Sequence, residues 1–352
     1  MYKKFDELFI DETKYGTKIK TDKYLSEGKY PIVDQGQKKI SGYTDIEEGI
    51  FKEVPAIIFG DHTRLIKYID IPFFIGADGV KIIRSRLKKV NYKYLYYALL
   101  NVHIPNTGYN RHFKWLKETK IFYTDSEKQK HIVEVLDKIS LIIEKKNKQI
   151  EQCDFLLKSL FIEMFGDIIN TSKYPTVNLG SLGEMLSGGT PSSKHSEYFG
   201  GNIPFISTPC LGENYISYKN AQNFLTDEGV KNSTTNLIPA YSVMIGSRVG
   251  VGKCSINMCE MCTNQDILSF INIDKTKYDL LFIKNVIEQH FDFYESQKRG
   301  ATIKGISSKI VKETKVPKAP LLLQKKFANF VRGTDKSKLA VKKSLEELEI
   351  LK

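Results

Sequence analysis

A chain of 352 residues is too long for one ordinary small domain and long enough for two of roughly 125–150 residues plus connecting elements. Its 41% hydrophobic and 27% charged residues are globular values, which excludes a disordered or fibrous chain. The excess of 53 Lys and Arg over 41 Asp and Glu leaves a net charge of +12 and favours a polyanionic partner, nucleic acid first. Met1-Tyr2-Lys3-Lys4-Phe5-Asp6-Glu7 carries no apolar signal region, and no apolar run reaches the ~18 residues of a membrane span, so a cytoplasmic protein without membrane contact is expected. Five cysteines, an odd number in a chain of this length, imply no disulfide framework.

In chain order, short strands are predicted at 56–59, 73–75 and 80–83, punctuated by Gly, Asp and Pro, followed by a helix over 92–101. From Ser126 apolar residues recur three and four apart at Ile132, Val135, Ile139, Ile143, Ile150, Cys153, Leu157, Leu160 and Met164, with Lys146 filling the one seam position between Ile143 and Ile150, which predicts a helix over 126–165 about 60 Å long. Strands at 242–245 and 267–271, a helix at 278–288 and a second long helix from 322 repeat the pattern, with a more polar middle weakened by Gly333.

The two halves also match locally. Tyr30-Pro31-Ile32-Val33 resembles Ile203-Pro204-Phe205-Ile206, Val54-Pro55-Ala56 resembles Ile238-Pro239-Ala240, and the run from Leu116 to Ile121 resembles that from Val311 to Val316, continuing to Gln129-Lys130 against Gln324-Lys325. The offsets grow from 173 to 184 to 195, as a duplication with loop insertions requires. We therefore expect an α+β chain: two repeat domains at 1–125 and 167–321, each followed by a long helix, at 126–166 and 322–352, related by a pseudo-twofold. One-sided helices of this length need a partner, and an antiparallel coiled coil with Ile139, Ile143, Leu157 and Leu160 on one seam and Val341 and Leu345 on the other is the expected solution.

No catalytic set emerges. Cys254, Cys259 and Cys262 lack a nearby fourth ligand for a structural zinc, so no metal is expected. Gly246-Ser247-Arg248-Val249-Gly250-Val251-Gly252-Lys253 has five residues between Gly246 and Gly252 where a phosphate loop has four, and Cys254 replaces the magnesium-binding hydroxyl. Glu118-x-Lys120 and Glu313-x-Lys315 echo half of a nuclease site, but their duplication argues for a solvated hinge, and no Asn/Asp-Pro-Pro-aromatic methyltransferase tetrad exists. Loops 107–114 and 297–304 combine cations, amides, hydroxyls and glycine, which suits contact with DNA: Tyr109, Arg111 and Lys114 in the first, Arg299, Thr302 and Lys304 in the second. Asp61, His62, Arg64 and Asp78, with Arg248, Asn264 and Gln265, are the further candidates for base-edge hydrogen bonds.

Several segments resemble Type I restriction specificity subunits. These are Phe165-Gly166-Asp167, Val177-Asn178-Leu179-Gly180-Ser181-Leu182, Ser187-Gly188-Gly189-Thr190-Pro191-Ser192 and the run from Tyr198 to Ile206. In the first half Val33-Asp34-Gln35-Gly36-Gln37, the runs 40–45 and 59–64, and Gly76-Ala77-Asp78-Gly79-Val80 are similar to one common class of their recognition domains. The second helix ends roughly one to two turns earlier than its counterpart. The resemblance implies that the two domains are target-recognition domains and the helices spacers, in a non-catalytic subunit that binds a bipartite asymmetric site in double-stranded DNA, with the helices as a ruler. It also implies docking of two adenine methyltransferase subunits, which hold S-adenosylmethionine, and of restriction (translocase/endonuclease) subunits. A freestanding DNA-binding regulator and a nuclease are the rival classes.

Overall fold

The computed structural model describes residues 1–300 and 304–351, in an α+β fold of two compact units, Met1–Lys145 with the segment from Leu348, and Lys146–Glu347. In the first unit a four-stranded antiparallel sheet runs in the order Phe9–Asp11, Val80–Ser85, Ala56–Gly60, Ile66–Ile69. A second sheet places Tyr30–Val33 between Gly42–Thr44, antiparallel, and Phe74–Ile75, parallel. The strand Ala56–Gly60 is apolar throughout because both of its faces are covered. Ile57 and Phe59 pack with Leu95, Leu116 and Ile121, while Ala56 and Ile58 pack with Val33, Phe73 and Ile82. The helix Tyr92–Leu100 starts where Asn91 accepts a hydrogen bond from the Tyr94 amide at 3.1 Å.

The second unit repeats this plan with additions. Its main sheet runs Glu184–Ser187, Ile267–Ile271, Val243–Gly246, Cys254–Asn257, Tyr215–Ile216. The first four strands follow the same order and pairing sense as those of the first unit. Phe199–Ile206 pairs antiparallel with Asn223–Leu225 and parallel with Met261–Thr263, as Tyr30–Val33 does with its own neighbours. In each unit an early strand pairs with the one that leads into a long helix: Tyr2–Lys4 with Lys120–Phe122, and Thr176–Asn178 with Lys315–Pro317. Glu118-x-Lys120 and Glu313-x-Lys315 therefore enter a β-pair and are not merely solvated hinges.

The long helices span Ser126–Phe165 and Leu321–Leu351. Asp125 receives the Lys128 amide at 3.0 Å, which pulls its carboxyl down to about 2. Val133 is buried and Ile132 and Leu136 pack against the first unit's core, whereas Val135, placed inward by its spacing, is 42% exposed. A step of three residues turns the helix by about 300°, about 60° short of a full turn, so it can carry a side chain past the border of the buried face.

Within the second unit the helices run antiparallel. Phe161 and Phe165 meet Phe327, with ring centroids 5.3 and 5.6 Å apart and near-perpendicular planes, and earlier on the first helix Asp154 binds Lys338, later on the second, at 2.5 Å. Leu157 and Leu160 pack on the cluster containing Phe327, Ala328 and Val331. Leu345 is buried and Val341 half-buried, both beyond the Asp154–Lys338 pair along the helix. Leu157, between Asp154 and Phe161, therefore lies along the stretch of the second helix between Phe327 and Lys338, short of Val341 and Leu345. Ile139 and Ile143, half-buried, belong to the first unit.

Candidate nucleic-acid interface

In each repeat three loops meet at the same end of the main sheet's strands, and one residue ties them together through its backbone. The strand Ala56–Gly60 ends opposite Val80, and the next residue, Asp61, donates its amide to the Gly79 carbonyl at 2.7 Å while its own carbonyl accepts the His112 amide at 2.8 Å. In the second repeat Gly246 ends its strand opposite Ile267. Ser247 then donates to the Asp266 carbonyl at 2.8 Å and accepts the Ile306 amide at 2.8 Å. The loop after the central strand is thus braced by the loop before its neighbour strand and by the loop ahead of the Lys-Glu-Thr-Lys segment.

The residues singled out from sequence fall on or beside these loops. Asp61 is buried, and its Oδ1 accepts the Phe113 amide at 2.7 Å, so its carboxylate starts the helix Phe113–Lys117 and is not offered to a base. His62 lies beneath Tyr109, rings 4.8 Å apart and 9° from parallel. Arg64 takes a positive φ of 61° and its Nη1 donates to the Ile104 carbonyl at 3.2 Å, which directs the guanidinium along the repeat's own backbone. Asp78 is exposed and paired with Lys18. That ammonium, with a smaller contribution from Arg111, holds its carboxyl below the usual range. Arg111 and Lys114 are exposed, the latter with Nζ 4.2 Å from the Trp115 ring centroid.

In the second repeat Arg248 is exposed on the Gly246–Lys253 turn, 3.6 Å from Asp266. Asn264 is bound locally, its Oδ1 accepting from the Asp266 amide at 3.3 Å, and Gln265 Oε1 accepts from Thr190 Oγ1 at 2.5 Å. Arg299 and Gly305 exchange backbone hydrogen bonds of 2.9 and 3.0 Å, which closes the loop that exposes Lys304. Thr302 lies outside the described residues.

Sequence reasoning missed Gln35. Its Oε1 accepts the His62 amide at 3.1 Å, its Nε2 donates to the Asp78 carbonyl at 3.0 Å, and its carbonyl accepts from Thr63 Oγ1 at 2.8 Å. The signals were its place two residues after a buried strand and its presence in the Val33–Gln37 segment that resembles the family's recognition domains, neither of which gave it a role. Lys18, held by Asp78, was missed too, because a single lysine in a lysine-rich chain carries no pattern.

Among the described residues neither the Gly246–Lys253 run nor the three cysteines assemble the site that their spacing suggests. Gly246–Lys253 is a hairpin turn, with the Gly246 amide on the Lys253 carbonyl at 2.9 Å, and a strand follows it where a phosphate loop is followed by a helix. Cys254 and Cys262 lie in different sheets, and Cys259 lies in the turn between their strands. Burial pushes the Cys262 thiol up to about 11. Among the described residues no group of three or more His, Cys, Asp or Glu is placed to hold a metal ion, and no helix is long and apolar enough to cross a membrane.

Fold and loops together define a tandem α+β recognition protein, with one braced, polar, cation-bearing surface per repeat. The sequence profile of the Type I restriction modification DNA specificity domain matches residues 2–152 and again 171–350, and the chain belongs to that family. It is 28% identical over 257 residues to the Type I restriction enzyme EcoR124I/EcoR124II specificity subunit of Escherichia coli, covering 68% of this chain and 61% of that subunit. The MjaIX specificity subunit of Methanocaldococcus jannaschii is 27% identical over 169 residues, 48% of this chain and 39% of the relative. The chain thus spans less than two thirds of either relative. Among solved structures the S subunit from M. genitalium covers the whole chain and 93% of its own length at TM-score 0.52 and 19% identity. A structure concerning assembly and conformational transition of the type I R-M system does so at TM-score 0.56 and 14% identity, covering 95% of its own length. Both share the fold.

Proposed function

We propose that this chain is the non-catalytic DNA-reading subunit of a Type I restriction-modification complex. Each repeat reads one half of a bipartite, asymmetric duplex site, and the long helices set the spacing between the halves. The assembly recruits two adenine methyltransferase subunits, which carry S-adenosylmethionine, together with restriction subunits, and works in the cytoplasm. The observation that carries this reading is the duplicated brace at Asp61 and Ser247. It holds two loop sets of the same construction but different side chains, as two readers of different sequences need. His62, Tyr109 and Arg111 stand on the first, and Arg248, Arg299 and Lys304 on the second. Asp61 and Arg64, engaged within their own repeat, position the loops.

The test is co-expression with a Type I methyltransferase subunit and genome-wide mapping of modified adenines. A two-part motif with an unspecified gap is expected, and Arg248→Ala relaxes one part while leaving the other intact. Loss of both parts together, or a continuous motif, refutes the two-reader arrangement.

A further inference from the structure

The largest aromatic surface offered to solvent in the first recognition loop set is Tyr109, 89% exposed. A free side chain of that size normally folds onto the nearest apolar surface, yet here it is held out by construction. One face of the ring is stacked on His62 at 4.8 Å and 9°. His62 is fixed in turn: Gln35 accepts its amide, and its ring fills the space over Gly79, where a Cβ would come within 2.7 Å of His62 Cδ2. Gly79 also has φ +81°, so only glycine serves at that position without strain. The turn carrying Tyr109 is closed by Gly108 donating to Asn106 Oδ1 at 3.2 Å and by Asn110 Nδ2 donating to the Thr107 carbonyl at 2.6 Å. Beyond it His112 is anchored on Asp61.

We propose that the His62–Tyr109 pair is a stacking platform for an unstacked DNA base, with Tyr109 entering a base step of the first half-site and His62 as the positioning residue beneath it. The proposal rests on the DNA-binding reading above. A flat ring with one face supported and the other open is complementary to the face of a nucleobase, which becomes available where a duplex is kinked or a base is displaced. Arg111, two residues on, is exposed and supplies positive charge for the flanking phosphates. The equivalent loop of the second repeat, Gln297-Lys298-Arg299-Gly300-Ala301-Thr302-Ile303-Lys304, carries no aromatic counterpart of Tyr109, and Arg248 stands where His62 does, next after the bracing residue. That repeat's stacked His195–Tyr198 pair, with rings 4.8 Å apart and 20° from parallel, lies elsewhere, on the turn ahead of Phe199–Ile206. Distortion through this platform therefore belongs to the first half-site, and the two equivalent loops read by different means.

The full chain is tested against a randomised duplex pool, with the bound fraction sequenced. Tyr109→Ala is expected to bind the recovered duplex about 5- to 100-fold more weakly, with an unchanged salt slope, because a stack releases no counterions. Tyr109→Phe is expected to bind as wild type does. Sequence information should be lost only from the half-site that Arg248→Ala leaves intact. Tyr109→Trp in a Trp115→Phe background leaves a single tryptophan, whose emission should be quenched when duplex binds. At 89% exposure the Tyr109 changes leave the core untouched, and Trp115, half-buried against that core, is replaced by another aromatic ring and is compared with Trp115→Phe alone. Undiminished binding by Tyr109→Ala, a salt slope lowered by one ion, a Tyr109→Phe protein as weak as Tyr109→Ala, or unquenched emission each overturns the platform. Failure of the wild-type chain to recover any duplex overturns the DNA-binding reading, and the platform with it.

Discussion

Gln324 and Gln129 occupy the same position in the two repeats, three residues into each long helix, and the structure gives them unequal burdens. Gln324 is fully buried. Its Oε1 accepts the Asp279 amide at 2.9 Å, and its Nε2 donates to the carbonyls of Lys277 at 3.0 Å and Ala319 at 2.8 Å. Gln129 makes one side-chain bond, from Nε2 to the Thr124 carbonyl at 2.7 Å. Replacement by leucine keeps most of the volume and removes every bond. At about 1 kcal/mol for each neutral hydrogen bond lost, Gln324→Leu should cost about 3 kcal/mol and Gln129→Leu about 1. Asp279 caps the helix Leu280–Gln289 through the amides of Leu281 and Phe282, so the loss should be felt there. Hydrogen exchange under native conditions measures it locally: protection of that helix should fall about 100-fold in Gln324→Leu, with 1.4 kcal/mol per factor of ten. Equal losses in the two variants, or a loss below tenfold in Gln324→Leu, would refute the view that this glutamine joins the second helix to the sheet-covering helix.

Three further outcomes are expected. Lys114→Ala and Lys304→Ala should each weaken DNA binding across all sequences and lower the salt slope by about one counterion, read by titration at several salt concentrations; a change of preferred base at constant slope would make them readers instead. Gly333→Ala should stabilise the second long helix by about 0.5–1 kcal/mol in urea unfolding, since nothing lies within 4 Å of the added methyl; destabilisation would show that the helix needs to bend there. Burial lowers the pKa of His290, and a folded pKa below the unfolded one means stability present near pH 7 and lost as pH falls through the folded value. The unfolding midpoint should therefore drop from about pH 7 to about pH 5, and less so in His290→Gln; identical profiles would remove His290 as the cause.

Much of this architecture is written in local pattern. The helix Ser126–Phe165 and the strands Ala56–Gly60 and Ile267–Ile271 follow from periodicity and punctuation, which depend on neighbours in the chain. The duplication was legible because Lys-Glu-Thr-Lys and the glutamine after it recur in order, and both copies lead a β-pair into a long helix. The phase of that helix was not fully legible: Val135 and Leu136 are both apolar, and which one faces inward depends on the surface it meets.

The loops mark the boundary between the two kinds of information. Composition placed cations and amides on 107–114 and 297–304, and turn residues marked 60–64 and 76–79, so the sequence alone determined which segments could present a binding surface. It could not show that Asp61 and Ser247 are equivalent. Their side chains share no pattern, and what recurs is an amide and a carbonyl, which every residue other than proline possesses. Nor could it separate Asp61 and Arg64, drawn into the repeat's own hydrogen bonds, from Tyr109, held out over His62 from 47 positions away. Whether a polar side chain is brace or reader is settled by which backbone groups the fold leaves short of partners, and those groups meet only when distant segments close on one another.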